Sequence, residues 1–340
     1  MKKCYMVILN IIICLCIVNI SPLSAAEKKF KILTIQHQTF APYTLSLKGF
    51  KQGIRSSVLS DQISLREYNA KTNLKNLDAY IKKLKKRNDI DLIFSIGTQA
   101  TKRVVKNITH IPIVFTDLGA PEYSGIITDW KSSKANYTGV ETKNYVSLGI
   151  NLLHELISFK RIGMIYLKGA PSHEGTIQQI ASLSKDAGFG FETKGFAYRD
   201  KFGKKLSNKL LRKGIKQALN EVVPKVDVFY VQISKIFDVN FDLFLDMFKK
   251  YNIPSAGDPV YIKKGLVMGI GRDKVQFGEQ CAEYSVKILQ GTKPAALPMD
   301  VGKKFAILLN IKAASIVGYN PSIDILSAAD EIYKEVETKK

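Results

Sequence analysis

Residues 91–105, DLIFSIGTQATKRVV, join a short apolar run to an amphipathic run that follows it directly. A few apolar residues bounded by turn formers are typical of a strand covered on both faces of a parallel sheet. Gly97 permits a tight turn after this strand, and Thr98 and Gln99 then start a helix, where unpaired N–H groups point outward. Ligands of open parallel sheets bind at such carboxyl ends. This turn is therefore the first candidate for half of a binding site.

The same arrangement occurs a second time along the chain. Residues 91–95 and 111–117, DLIFS and IPIVFTD, are echoed by residues 227–232 and 253–258, DVFYVQ and IPSAGD. In each copy a buried strand is followed by a helix and then by an Ile-Pro strand that ends at an aspartate. Any two doubly wound units look alike at this level, so that alternative stays open beside the interpretation that the chain forms two similar lobes.

The remaining pattern alternates strands with helices. Strands are predicted at residues 30–36, 63–68, 113–116, 161–167, 191–197, 226–231 and 254–256. Helices are predicted at residues 45–59, 74–86, 145–156, 176–187, 205–219 and 239–251. Such alternation predicts βαβ connections and an α/β fold built on parallel sheets.

Three further elements, at residues 265–270, 274–289 and 305–309, are needed by neither simple half. They indicate that the chain crosses back and forth between the lobes, with three strands at the hinge. The predicted division is residues 27–140 plus 259–296 for the first lobe, and residues 141–258 plus 297–340 for the second.

The first 26 residues have the pattern of a secretory signal peptide. Lys2 and Lys3 precede the apolar residues 6–20, and Ser24-Ala-Ala26 is a small-residue cleavage site. A membrane anchor is the alternative, although the apolar run is shorter than the roughly 20 residues of a membrane span. A lipid anchor is a weaker alternative, because Cys14 and Cys16 follow Ile or Leu instead of the small residues that such processing requires. After cleavage only Cys281 would remain, so no internal disulfide is predicted.

Length and charge narrow the range of possible functions. The 340 residues, 46% of them hydrophobic, suffice for two domains. The net charge of +21 raises the question of nucleic-acid binding, but the lysines are scattered. The basic clusters at residues 82–87 and 201–216 carry apolar residues at helical spacing, which is typical of solvated helix faces. We therefore predict no nucleic-acid partner, and attraction to an anionic membrane surface only as a secondary effect.

Motifs for catalysis or metal binding are not visible. The four histidines lack metal-ligand spacing, and residues 95–97 and 269–271 are fragments of glycine-rich loops without the full motif. No metal, cofactor or enzymatic activity is predicted. Asp117 and Asp258 are more informative, because each follows a buried strand at a position that opens to a cleft. Each carboxylate either binds a ligand ammonium group or caps the next turn, and both alternatives stay open.

An ordered set of short segments covers nearly the whole mature chain. The segments are IGTQA at residues 96–100, IPIVFT at 111–116, YTGV at 137–140, RIGMIY at 161–166, VDVFYV at 226–231, IPSAGD at 253–258, ILQGTKP at 288–294, and Leu297-Pro298. In order and spacing the set resembles the periplasmic substrate-binding proteins of ABC transporters, and among them the group with tryptophan- and tyrosine-binding members. The resemblance implies the type 1 periplasmic binding fold, with two Rossmann-like lobes, three crossings, a ligand in the cleft and no catalysis.

By position, the resemblance also implies a set of cleft residues on the strand-end loops. The set comprises Gln38, Thr98, Gln99, Thr116 and Asp117 from the first lobe, and Ser172, Glu174, Gln232 and Asp258 from the second. The chain departs from the amino-acid binders at Gln99, where they have a small residue followed by Pro, and at residues 116–121, TDLGAP, where they have Thr-Asp-Pro. The resemblance therefore does not fix the ligand.

The predicted function is a secreted, periplasmic and monomeric solute-binding protein. It would capture a small polar ligand, such as an amino acid, and present the closed form to an ABC permease in the membrane. A receptor that reports its ligand to a membrane kinase or chemoreceptor is the first alternative. An enzyme on a doubly wound fold is the second, because a fold alone does not fix function.

Overall fold

The structure, a computed structural model, describes residues 29–300 and 305–337, and the predicted signal segment lies outside these ranges. The predicted α/β fold with two parallel-sheet lobes is confirmed. Within the described ranges, no helix combines the length and apolar character that a membrane crossing requires.

The first lobe is built on a five-stranded sheet in the order β2-β1-β3-β4-β5, with all strands parallel. Its strands are β1 (Phe30–Gln36), β2 (Ile63–Asn69), β3 (Leu92–Ile96), β4 (Ile113–Thr116) and β5 (Tyr137–Val140). Its first helices are α1 (Ala41–Arg55), α2 (Leu74–Leu84) and α3 (Thr98–Asn107). Helix α1 begins four residues before the predicted start, because the fixed φ of Pro42 suits the first turn of a helix.

The second lobe is built on a seven-stranded sheet in the order β12-β11-β10-β9-β8-β6-β7, in which only the β10–β11 pair is antiparallel. Its strands are β6 (Arg161–Leu167), β7 (Gly190–Phe196), β8 (Val228–Val231), β9 (Ser255–Gly257), β10 (Met268–Gly271), β11 (Ala306–Asn310) and β12 (Glu331–Tyr333). The remaining helices are α4 (Tyr145–Ile157), α5 (Pro171–Ala187), α6 (Asn208–Val222), α7 (Lys235–Val239), α8 (Phe241–Tyr251), α9 (Lys274–Leu289), α10 (Ile311–Ile316) and α11 (Ile323–Ala328).

Several boundaries differ from the sequence prediction. The helix predicted at residues 239–251 begins at Phe241, because Asn240 leaves the helical region with φ −120° and ψ 22° and separates it from the short helix α7. The helix predicted from residue 205 begins at Asn208, because the Ser207 side chain accepts a hydrogen bond from the Leu210 N–H and caps it. The C-terminal elements α10, α11 and β12 were not predicted.

Helix α9 packs on α1 and so belongs to the first lobe, although it follows a strand of the second. A Cβ atom at Gly49 would lie 2.0 Å from the carbonyl oxygen of Val275, and one at Gly278 would lie 2.0 Å from that of Ser46. The two helix backbones are therefore in direct contact. Beneath them, the stacked rings of Phe50 and Phe94 lie 4.0 Å apart in the apolar core.

Three crossings connect the lobes. They lie at residues 141–144, between β5 and α4, at residues 272–273, between β10 and α9, and after residue 297, on the way to β11. At the hinge, Glu141 forms a parallel bridge with Asp300 and donates its N–H to the carbonyl of Met299. The second crossing comes later than the predicted boundary at residue 258, because β10 pairs with β9 and β11 in the second sheet.

Candidate functional site

Asp117 lies directly after β4 and is 6% exposed. Its carboxylate accepts hydrogen bonds from the Lys274 Nζ and the Ser46 Oγ, each at 2.7 Å. Ser46 belongs to α1 and Lys274 starts α9, so the direct contact between these two helices brings both donors to the end of β4. The charge of Asp117 is therefore already balanced within the first lobe.

A second buried ion pair joins two of the crossings. Glu141, at the end of β5, pairs with Arg272, at the end of β10, and the two side chains are 0% and 5% exposed. Glu141 also accepts a hydrogen bond of 2.6 Å from the Leu118 N–H. The Arg272 guanidinium lies 4.3 Å from the ring centroid of Tyr145. Burial lowers the pKa of Arg272, but the Glu141 carboxylate and other nearby acidic groups outweigh it, so the pKa lies above its ordinary value.

Asp258 differs from these two acids, because no cation pairs with it among the described residues. It is 4% exposed, and its carboxylate accepts a hydrogen bond of 3.1 Å from the Val260 N–H, as a cap of the next turn. Burial raises the pKa of the Asp258 carboxyl, Asp117 adds to the rise, and Lys274 and Arg272 oppose it. Carboxylates from the two lobes thus lie within electrostatic reach of one another.

Three tyrosines accompany the charged groups, of which Tyr230 is buried and Tyr43 and Tyr145 are half-buried. The Tyr43 ring lies over Gly97, where a Cβ atom would be 2.3 Å from the tyrosine hydroxyl. Burial raises the pKa of Tyr43, and the carboxylates of Asp117 and Glu141 raise it further. Burial and Asp258 likewise raise the pKa values of Tyr145 and Tyr230. The charges and the aromatic rings therefore belong to one interlobe cluster, which comprises Asp117, Glu141, Asp258, Arg272, Lys274, Tyr43, Tyr145 and Tyr230.

Buried polar atoms without a protein partner occur on three strand-end segments of this region. They are the Thr142 Oγ1, the Gln232 Oε1 and the Arg272 Nε. Gln232 uses its amide nitrogen to donate a hydrogen bond of 3.0 Å to the Ser172 carbonyl. Because buried polar groups in native proteins nearly always have partners, these atoms are available to a ligand.

The lobes also touch outside the crossings. A Cβ atom at Gly119 would lie 2.6 Å from the Ser172 Cβ, so the loop after β4 lies directly against the first turn of α5. The Gln179 Nε2 donates to the Glu122 carboxylate at 3.2 Å. The Lys235 Nζ donates to the Thr39 carbonyl at 2.8 Å. The structure therefore shows the two lobes in contact across the cleft.

The other predicted site residues differ in what their side chains contact. The Thr98 Oγ1 accepts the Gly119 N–H at 2.9 Å and so ties two strand-end loops together. Thr116 donates its hydroxyl to the Val140 carbonyl at 2.9 Å, within the sheet. Gln99 accepts a hydrogen bond from Arg103 at 2.7 Å, and the exposed Glu174 accepts the Gly169 N–H at 2.8 Å.

Gln38 is half-buried, and its side chain interacts with Tyr43. That these predicted residues bind a ligand stays a prediction.

Sequence reasoning placed Asp117 and Asp258 of this cluster among the site residues and missed most of the others. Arg272 and Lys274 closely follow the predicted element at residues 265–270, and Glu141 follows residues 137–140, which were not predicted as a strand but form β5. The rule that selected Asp117 and Asp258 also applies to these positions. Among the described residues, no group of three His, Cys, Asp or Glu side chains is arranged to hold a metal ion. The cluster can therefore bind a ligand through charge, hydrogen bonds and aromatic contact.

Solved structures with the same fold cover nearly the whole chain. A conserved domain protein from Vibrio cholerae is 20% identical, with a TM-score of 0.76 over 90% of this chain and 100% of its own. An ABC domain in complex with L-Trp from Streptococcus pneumonia is 20% identical, with a TM-score of 0.75 over 90% and 100%. A ligand-free, open substrate-binding protein with adhesive properties from Clostridium difficile is 19% identical, with a TM-score of 0.71 over 91% and 100%.

The comparison with curated proteins gives no match. A family model described as ABC transporter substrate binding protein matches residues 34–333. Proteins of this family work outside the cytoplasm, where they bind small ligands and deliver them to ABC permeases, and their role is binding and not catalysis. With two parallel-sheet lobes and a charged cluster between them, the chain belongs to the ABC transporter substrate-binding proteins.

Proposed function

We propose that the protein binds an amino acid or a similar zwitterion in the interlobe cluster, with the ligand ammonium group on Asp258. The observation that carries the proposal is the buried Asp258 carboxylate, for which the described residues provide no ion-pair partner. The cluster contains three carboxylates and two cations, so Asp258 is left as the carboxylate to which the ligand ammonium group can bind. A buried carboxylate that gains a cation recovers part of its desolvation penalty.

The remaining polar atoms provide contacts for the other end of the ligand. The Arg272 Nε is a free donor, and the Gln232 Oε1 is a free acceptor on the second lobe. Tyr43 and Tyr145 supply aromatic surface from the two sides of the cleft. A ligand that contacts both lobes stabilises the arrangement in which they touch, and the closed form is then the one presented to a permease. We also expect the protein to act as a monomer.

The test is a calorimetric titration of the protein against an amino-acid panel, with sugars and nucleosides for comparison. Asp258→Asn keeps the cap on Val260 but removes the charge, so we expect it to weaken binding of the best ligand by about 30-fold to several thousand-fold. The deamino analogue of that ligand should lose as much affinity for the wild-type protein, and should bind wild type and variant equally. Asp273→Asn is the matched control, because Asp273 also caps a helix after a second-lobe strand but is only half-buried.

Unchanged affinity of Asp258→Asn for an amino-acid ligand would refute the assignment of Asp258. A tight ligand without a cationic group would refute the ligand class. Small-angle scattering adds a test of the mechanism, since a closing cleft predicts a smaller radius of gyration on ligand addition, and an unchanged profile with a confirmed ligand contradicts it.

A further inference from the structure

A short hairpin on the second lobe presents an exposed aromatic ring at its tip. Residues 198–206 follow β7, and Arg199 and Lys205 form an antiparallel bridge within them. Phe202, at the tip, is 82% exposed, the largest exposed fraction among the large hydrophobic side chains of the described residues. Single exposed apolar side chains are common on protein surfaces, so the meaning of this one depends on the groups around it.

The hairpin is held in shape by hydrogen bonds among its own residues. The Asp200 carboxylate accepts the N–H groups of Phe202 and Lys204, each at 2.9 Å. Arg199 donates to the Gly203 carbonyl at 2.6 Å, and the Asp200 N–H donates to the Lys204 carbonyl at 2.9 Å. The ring is therefore presented by an ordered turn, and the acid of the hairpin is used inside it.

Cations surround the ring. Residues 199–216 contain eight Lys and Arg side chains and one acid, Asp200. The Lys201 Nζ lies 5.0 Å from the ring centroid of Phe202, and Lys204 and Lys205 are exposed beside it. Leu210, in the first turn of α6, adds a second exposed apolar side chain and is 53% exposed. The surface is thus strongly positive around a small apolar tip.

We propose that this hairpin contacts the anionic headgroups of a phospholipid bilayer, with Phe202 inserted at the boundary to the acyl chains. Juxtaposed basic and aromatic side chains are the composition of interfacial membrane contacts. A protein partner fits less well, because protein interfaces have an apolar core and are depleted in Lys. The contact would hold the protein close to the membrane in which a permease lies, and it does not depend on which ligand is bound.

The test is co-sedimentation with vesicles of phosphatidylcholine, with and without phosphatidylglycerol, using protein that starts at Glu27 so that the apolar residues 6–20 are absent. We expect binding only to the anionic vesicles, and binding that weakens as salt is added. Removing two cations with Lys201→Gln and Lys204→Gln should weaken the partition about 25-fold, at about fivefold per basic residue. Phe202→Ser should weaken it by about tenfold.

Matched controls lie on the first lobe. Val58 is 81% exposed, so Val58→Ser removes an equally exposed apolar side chain away from the hairpin. Lys82→Gln with Lys83→Gln removes two exposed charges from another basic cluster. Both controls should bind anionic vesicles like the wild type. Phe202→Trp should show a blue shift of its emission on these vesicles, whereas the wild type, with Trp130 as its one tryptophan, should show none.

Equal losses in the hairpin and control variants would overturn the proposal, since binding would then follow net charge alone. Absence of binding to anionic vesicles would also overturn it. Capture of a membrane protein through Phe202 in the absence of lipid binding would assign the hairpin to a protein partner and overturn the lipid proposal.

Discussion

The Asp117–Lys274 pair gives the sharpest prediction on stability. The two side chains are 2% and 7% exposed, and 2.7 Å separates Nζ from Oδ1. Lys274→Met keeps the aliphatic stem and removes the charge, which leaves a buried carboxylate with the Ser46 hydroxyl as its remaining donor. Breaking a buried pair on one side costs about 3 to 5 kcal/mol in the free energy of unfolding. For a lobe of this size that corresponds to a fall in Tm of roughly 10 °C.

The double variant tests whether the pair itself causes this loss. Asp117 has φ +62°, a conformation that Asn adopts more readily than most residues, and Asn also retains the acceptor for Ser46. Asp117→Asn with Lys274→Met removes both charges of this pair and leaves neither without its partner, so its free energy of unfolding should lie within about 2 kcal/mol of the wild type. Lys287→Met in the same helix is the control. Its pair with Glu283 is half exposed and contributes at most about 0.5 kcal/mol.

The assay is urea unfolding followed by the fluorescence of Trp130, the one tryptophan of the chain, which lies in the first lobe. The lobes need not unfold together, and this probe reports the lobe that contains the pair. A double variant as unstable as the sum of the two single variants would refute the reasoning. A Lys274→Met variant no less stable than Lys287→Met would do so as well.

Three further predictions concern packing and pH. Gly278→Ala should destabilise the first lobe by several kcal/mol, because the added Cβ would lie 2.0 Å from the Ser46 carbonyl oxygen. Gly214→Ala is the control and should not destabilise the protein, because its nearest neighbour would be 3.8 Å away. Thermal unfolding of the two variants measures the difference. The second prediction concerns Asp258, whose pKa in the folded state is raised. The ligand-free wild type should therefore lose stability as the pH rises from the ordinary carboxyl pKa to the raised one. Asp258→Asn should be more stable than the wild type near pH 7, and this difference should disappear in acid. An advantage that does not vary with pH would contradict this account. Burial lowers the pKa of His173 from 6.5 to about 4. The free energy of unfolding of the wild type should therefore fall by about 3 kcal/mol as the pH falls through that range. Urea titrations at a series of pH values should show a smaller fall for His173→Asn.

The alternation of apolar and amphipathic runs was sufficient to predict the parallel sheets, because covered strands and two-sided helices have distinct periods. The same pattern located Asp117 and Asp258 at strand ends. It could not show that they would differ. Asp117 is paired with a lysine 157 residues away, and Asp258 has no such partner among the described residues.

The position of the second crossing between the lobes shows a different limit of prediction from the sequence. Residues 259–271 stay with the second lobe because β10 pairs with β9 and β11, and pairing between strands is decided by tertiary packing. The elements α10, α11 and β12 are short, with six, six and three residues, and carry too few positions to show a period. The contacts across the cleft, such as that between Gly119 and Ser172, likewise depend on the arrangement of whole lobes.

The place of α9 in the first lobe has a consequence for how the chain folds. The core around Phe50 and Phe94 is completed by Phe277, Cys281 and Tyr284, which all come from that helix. A nascent chain that ends at residue 140 therefore has only α1 to cover this face of its sheet, and the part that α9 covers stays exposed. The second sheet in turn needs β11, so neither lobe can close its core until most of the chain has been made. Contacts so distant in sequence slow folding, and the N-terminal lobe should become protected from hydrogen exchange only after the residues of α9 are present.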